Sequence, residues 1–229
     1  MSTPLSLAQL LTTFGGRVSL AKEAADRSLS LGWPPFDALL PQGGLPEGVV
    51  ELSADGALGG STTVALLAVR AAQKASPDTW CAWLDPEGTL FAPGARMADV
   101  DLSRLLVVRP PRKELARIAV KMARAEIFRV LVIEKDAILG ERERETRGEC
   151  EVLVRKLALA AASSGSVVLL LTNRKHARPS PLPVALRLEL ERTPHALNVT
   201  VAKERHGHIG LRKSVPMDTK PHLPFSLVG

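Results

Sequence analysis

The stretch Glu51–Gln73 reads ELSADGALGGSTTVALLAVRAAQ, an apolar segment, then a glycine-rich run, a serine with two threonines, and an apolar helical pattern. This layout suits phosphate: small residues let backbone N–H groups converge on an anion at a helix N-terminus. A working loop of the form GxxxxGK[ST] adds a lysine for the phosphates and a hydroxyl for magnesium. If Gly60 is the second glycine, Ser61 stands at the lysine position, Thr62 at the metal-ligand position with Thr63 beside it, and Asp55 replaces the first glycine. If Gly56 is the first glycine, the second falls on Ser61. No register restores the lysine. A screened charge pair at a few ångströms is worth roughly 1–4 kcal/mol. Losing an attraction and adding a repulsion should therefore weaken ATP binding about a hundredfold or more. Backbone amides remain able to hold a small anion.

Other polar groups sit where strands end. VLVIE closes on Glu134, which can serve magnesium with one methylene more than an aspartate. WLDPEG supplies Asp85 and Glu87, positions from which a carboxylate can orient an attacking water. LLLTN ends in Asn173, suited to sensing a phosphate. Taken singly, each also fits a polar residue capping a strand.

These residues need a scaffold that gathers strand ends. Apolar runs predict strands at Val49–Leu52, Trp80–Leu84, Leu105–Val108, Val130–Ile133 and Val167–Leu171, and helical spacing predicts helices at Thr63–Lys74, Lys113–Ile127 and about Thr146–Ala162. Runs such as VLVI and VVLLL belong to strands buried on both faces. The alternation predicts an α/β fold, a mainly parallel sheet flanked by helices. Beyond Pro183 a period of two with a turn at Thr193-Pro194 predicts an antiparallel β extension. Between residues 31 and 48 the proline- and glycine-rich chain allows one short helical turn. We expect an N-terminal helical segment over 1–30 (helices at 5–13 and 17–28), a core over 31–215 and an irregular tail over 216–229.

Charge is placed unevenly. The net charge is +6, yet acidic and basic side chains balance over residues 1–171. The excess lies in 172–213, where Arg174, Lys175, Arg178, Arg187, Arg192, Lys203, Arg205, Arg212 and Lys213 face Glu189, Glu191 and Glu204. Such clustering fits a polyanion partner or a solvated basic face. A second basic set, Lys113, Arg117, Lys121 and Arg124, recurs on one helical face opposite Leu115, Ile118, Ala119 and Met122. With 3% aromatics and no tyrosine, base stacking is not the main mode of any nucleic-acid binding. Cys81 and Cys150 match no metal or disulfide spacing, so we expect neither. No signal peptide or membrane span is legible, and the expected location is cytoplasmic.

FDALLPQGGLPEGVVELSADGALGGSTT, CAWLDPEGTLFAPGARMADVDLSRLLVVRPP, IFRVLVIEKDAIL and VRKLALAAASSGSVVLLLTN occur in an order and spacing that resembles the RecA recombinase core, a P-loop NTPase fold, over about residues 30–213. The resemblance implies that Ser61, Thr62 and Thr63 occupy the Walker A positions, that Glu87 corresponds to the catalytic glutamate and that Asn173 stands at the nucleotide sensor. It also implies that residues 174–185 fill the place of the second DNA-binding loop, and ILGERERETRGE that of the first. Lys203 and Arg205 resemble basic residues that reach a neighbouring subunit's nucleotide in a filament. The missing lysine, and a match that stops short of RecA's C-terminal domain, resemble the ImuA group of bacterial mutagenesis cassettes. That resemblance implies an adaptor in damage-induced translesion synthesis and the SOS response. Its partners would be RecA, an inactive Y-family polymerase homologue of the ImuB type and an error-prone replicative polymerase, with DNA contact and nucleoid association. We expect no cofactor, no metal and ATPase activity weak or absent. Two other readings stay open. One is a deviant ATPase using Glu87, Glu134 and Thr62 with a cation borrowed from Lys203 or Arg205; the other is a plain DNA-binding module.

Overall fold

The computed structural model describes residues 28–40, 42–55, 59–134, 147–173, 182–205 and 209–217. The expected helix at 5–13, all but the last residue of that at 17–28, residues 218–229 of the tail, Gly56, Arg174, Lys175 and Arg178 lie outside the described residues. So does most of ILGERERETRGE.

In chain order the elements are α1 (Pro34–Asp37), β1 (Gly48–Ala54), α2 (Ser61–Ala75), β2 (Trp80–Leu84), α3 (Ala92–Met97), β3 (Leu105–Val108), α4 (Arg112–Ala123), β4 (Phe128–Glu134), α5 (Arg147–Ser164), β5 (Val167–Asn173), β6 (Leu186–Arg192), β7 (Ala196–Glu204) and β8 (Arg212–Pro216). The strands form one sheet in the order β3-β2-β4-β5-β1-β6-β7-β8. All neighbours from β3 to β6 pair in parallel, whereas β6–β7 and β7–β8 are antiparallel. The α/β fold with its C-terminal antiparallel hairpin is thus as the alternation predicted.

Side-chain alternation along the central strands separates two cores. Val50 and Leu52 of β1 pack with α2 and α3, through Val64, Ala65, Ala68, Val69 and Ala95. Val49, Leu131, Ile133, Val168 and Leu170 point the other way and meet Leu115 and Ala119 of α4 and Leu153, Val154 and Leu157 of α5. Full burial on both faces explains why VLVI of β4 and VVLLL of β5 read as continuous apolar runs.

Three details depart from the sequence reading. The helix expected over Lys113–Ile127 stops at Ala123, with Glu126 in the left-handed region at φ 58°. The segment beyond Pro183 enters the sheet parallel to β1 before the hairpin turns it antiparallel. Pro216, the first residue of the expected irregular tail, belongs to β8, next to buried Val215. The hairpin closes through Thr193, whose N–H donates to the Ala196 carbonyl at 2.8 Å while its hydroxyl accepts from the Ala196 N–H at 3.1 Å. The proline-rich entry is ordered around buried Asp37, which accepts from the Leu31 and Trp33 N–H groups and the Ser30 hydroxyl. No helix among the described residues is long and apolar enough to cross a membrane.

Candidate functional site

Parallel pairing brings the C-terminal ends of β1, β2, β4 and β5 to one edge of the sheet, where such folds receive ligands. Ala54 pairs with Asn173, Leu84 with Ile133 and Glu134 with Leu171. Asp55, Asp85, Glu134 and Asn173 therefore gather along that edge, as their positions at strand ends require. Asn173 stands half-buried beside the start of the glycine-rich loop.

The end of the loop, at Gly59 and Gly60, has a tight backbone. A Cβ on Gly59 would lie 2.4 Å from the Ala54 Cβ and 2.9 Å from the Asp55 nitrogen. Gly60 adopts φ 95°, and a Cβ there would meet Leu197 Cδ1 at 2.5 Å. Glycine is required at both positions, by close approach at the first and by left-handed backbone at the second. Helix α2 starts at Ser61 with no side-chain cap and no acidic residue in its first turn. The amides of that turn and the positive end of the helix dipole are left for an anion. Ser61 and Thr63 are half-buried, and Thr62 is exposed. Asp55 is exposed at the end of β1, where it adds negative charge to a loop without a lysine.

Three carboxylates along the edge, Asp85, Glu87 and Glu134, are engaged by this chain's own groups. Asp85, fully buried, accepts from the Thr89 N–H at 2.7 Å and the Leu90 N–H at 3.3 Å, with Arg109 Nε at 3.4 Å. It organises the turn after β2 and is not turned outward toward a water. Glu87 accepts from Arg112 Nε at 2.8 Å. Glu134 accepts from Trp83 Nε1 at 3.1 Å and from the Thr89 hydroxyl at 3.1 and 3.0 Å. Burial raises the Glu134 carboxyl above the usual glutamate range; the Trp83 and Thr89 hydrogen bonds oppose this, and the nearby negative charges of Asp85 and Glu87 add to it.

The basic candidates separate. Lys203 donates its ammonium to the Leu182 carbonyl and is half-buried, so it is turned into its own chain; Arg205 is exposed in the turn after β7. Lys113, Arg117, Lys121 and Arg124 all lie on the solvent side of α4, far along the chain from the loop and on the opposite face of the sheet from α2.

A further polar group was not anticipated. Glu51 in β1 accepts from the Thr172 hydroxyl of β5 at 3.0 Å and faces Arg187 of β6 at 3.6 Å, with Glu189 3.7 Å from the same guanidinium. Glu51 and Arg187 are almost wholly buried. Glu51 Oε2, Ser53 Oγ and Arg187 Nε have no hydrogen-bond partner among the described residues. The available signal was a charge inside each of two apolar runs, VVELS and ALRLEL. Among the described residues no group of three or more His, Cys, Asp or Glu is arranged to hold a metal ion.

With this geometry in view, comparisons with known proteins place the chain. The family model described as RecA N-terminal domain matches residues 7–162. Protein RecA of Rhodospirillum centenum is 38% identical over 137 residues, which is 59% of this chain and 36% of the relative. Protein RecA of Nocardia farcinica is 38% identical over 151 residues, 63% of this chain and 42% of that one. The chain thus spans less than half the length of these relatives. Among solved structures, that titled "Crystal structure of the RadB recombinase" superposes with a TM-score of 0.65 at 19% identity, covering 81% of this chain and 94% of the other; the likeness is one of fold. The loop, the sheet order and the matched residues lead to one assignment: the chain belongs to the RecA N-terminal domain family.

Proposed function

We propose that this protein is a non-catalytic RecA-like accessory protein of the bacterial DNA-damage response. In this reading it acts as an adaptor in error-prone translesion synthesis, as the ImuA-group resemblance implies, and binds or modulates RecA filaments or DNA. One observation carries it: the two glycines that lead into α2 are kept tight, while the charges of a Walker A loop are not present. Gly59 and Gly60 hold the loop tightly, yet Ser61 stands in the lysine's place, Asp55 adds an anion, and Glu87 is paired with Arg112. Lys203, a candidate replacement cation, is committed to a carbonyl of its own chain.

An adaptor needs a surface for its neighbour, and β3 supports this part of the reading. It is an edge strand; among the described residues only β2 pairs with it. Leu106 and Val107 are exposed on its two sides. An open edge with apolar side chains favours strand addition by another chain. The partners in this reading are RecA, an ImuB-type inactive polymerase homologue and an error-prone polymerase, in a cytoplasmic, nucleoid-associated setting.

Calorimetric titration with Mg-ATP tests the proposal, with the Ser61→Lys, Asp55→Gly variant alongside. Heat from the variant alone is expected. Saturable binding by the native chain would favour the deviant ATPase. In parallel, association with RecA should persist without nucleotide; its absence in every nucleotide state would defeat the adaptor.

A further inference from the structure

Helix α5 is long, and its solvent side mixes apolar with basic residues. Val152 is 51% exposed and Leu159 74%, with Ala162 exposed on the same side. Val152 and Leu159 are two turns apart and lie on one stripe. Arg155 and Lys156 stand between them, both exposed. Helix α4 packs beside α5 on the same face of the sheet and presents Lys113, Arg117, Lys121 and Arg124 outward. Two of these cations are answered locally, Arg117 by Glu114 and Arg155 by Glu151. Lys113, Lys121, Arg124 and Lys156 have no ion-pair partner among the described residues.

We propose that the joint outer face of α4 and α5 docks an acidic amphipathic helix of a partner protein. Its apolar stripe would cover Val152 and Leu159, and its flanking carboxylates would meet Lys113, Lys121, Arg124 and Lys156. This rests on the adaptor reading and deepens it by naming the partner's chemistry. Two aliphatic side chains between cations distinguish the face from a phosphate-binding one. Nucleic acid would use the charges and leave Leu159 against a polyanion, whereas a helix laid on an apolar stripe uses both. A second copy of this chain docked isologously is a poor occupant, because that contact would set cation against cation.

The test uses the full chain and a fluorescent peptide of about 18 residues with leucines at helical i, i+4, i+7 spacing and flanking glutamates. Its controls are a scrambled peptide of the same composition and a DNA duplex of about 20 base pairs. Saturable anisotropy is expected for the helical peptide, with Kd on the order of 10–100 micromolar. Leu159→Glu should weaken it roughly tenfold, and Lys121→Glu with Arg124→Glu by a similar factor that shrinks at high salt. These side chains are exposed, so circular dichroism should stay native, and Leu159→Gln provides a gentler variant should Leu159→Glu disturb the helix. Equal binding of the scrambled peptide, or no binding at millimolar chain, would overturn the proposal. So would duplex binding that depends on Lys121 and Arg124 but not on Leu159. Since α2 lies across the sheet, failure here leaves the nucleotide-loop reading standing. Detectable Mg-ATP binding would in turn leave this surface untouched.

Discussion

The Glu87 carboxylate lies 2.8 Å from Arg112 Nε, joining the turn after β2 to the first residue of α4. The residue that by resemblance would orient a water is thus held by a guanidinium of its own chain, at the same edge where the loop lacks its lysine. The two features have the same direction, since each removes a charge that phosphate chemistry needs.

Releasing Glu87 should matter only where a cation is present. Both partners are substantially exposed, so their pairing is worth at most about 1 kcal/mol. Arg112→Ala in the Ser61→Lys, Asp55→Gly background should raise phosphate release by roughly fivefold or less. In the native loop the same substitution should leave it at background. Stimulation of the native loop by Arg112→Ala would show that a usable cation already exists.

The buried Glu51–Arg187 pair should behave asymmetrically. Arg187→Met leaves a carboxylate unpaired between β1 and β5 and should cost about 3–5 kcal/mol in urea unfolding. Glu51→Leu combined with Arg187→Met removes both charges and should recover most of that loss. A double variant no more stable than the single one would indicate that Thr172 or Glu189 is the important partner.

Glu134 gives a pH signature. Its folded carboxyl titrates above the ordinary value of 4.5, so the folded chain holds this proton more tightly than the unfolded chain. Its contribution therefore falls as pH rises from the ordinary range through the raised one, and is constant outside that window. Glu134→Gln keeps an acceptor for Trp83 Nε1 while removing the titration. Melting temperatures of the two proteins should differ by a constant amount below the window, shift in favour of glutamine through it and keep that new offset above it. Parallel pH curves would mean that the site is better hydrated than its burial implies.

Gly60→Ala should destabilise by about 2 kcal/mol. It places a side chain at φ 95° and drives its Cβ into Leu197. Adding Leu197→Ala relieves the contact but not the backbone, and empties part of the core besides. The pair should therefore remain less stable than the native chain in thermal unfolding. A neutral Gly60→Ala would show that the turn before α2 relaxes without cost.

Much of the fold was legible because burial on both faces leaves no room for polar alternation. VVLLL and VLVI could be little other than central strands, and the period of two after Pro183 marked the hairpin. Pairing direction was less legible: β6 lies parallel to β1 because its neighbour is fixed by the crossover from β5, which no local pattern records. The end of α4 at Ala123 was missed for a similar reason, since Ala125–Ile127 carries helical residue types while the chain turns there to enter β4.

The sequence by itself determined which atoms the site has: a serine where a lysine would stand, an aspartate ahead of it, and carboxylates at strand ends. Those are matters of residue identity and spacing along one segment. Tertiary structure alone decided what the side chains do. It gave Glu87 to Arg112, Glu134 to Trp83 and Thr89, Lys203 to the Leu182 carbonyl, and Glu51 to Arg187. Each of these partners is distant in sequence: the buried groups meet because desolvated charges and donors must be satisfied by whatever the packing brings near, and exposed Glu87 meets Arg112 because the turn after β2 lies beside the start of α4.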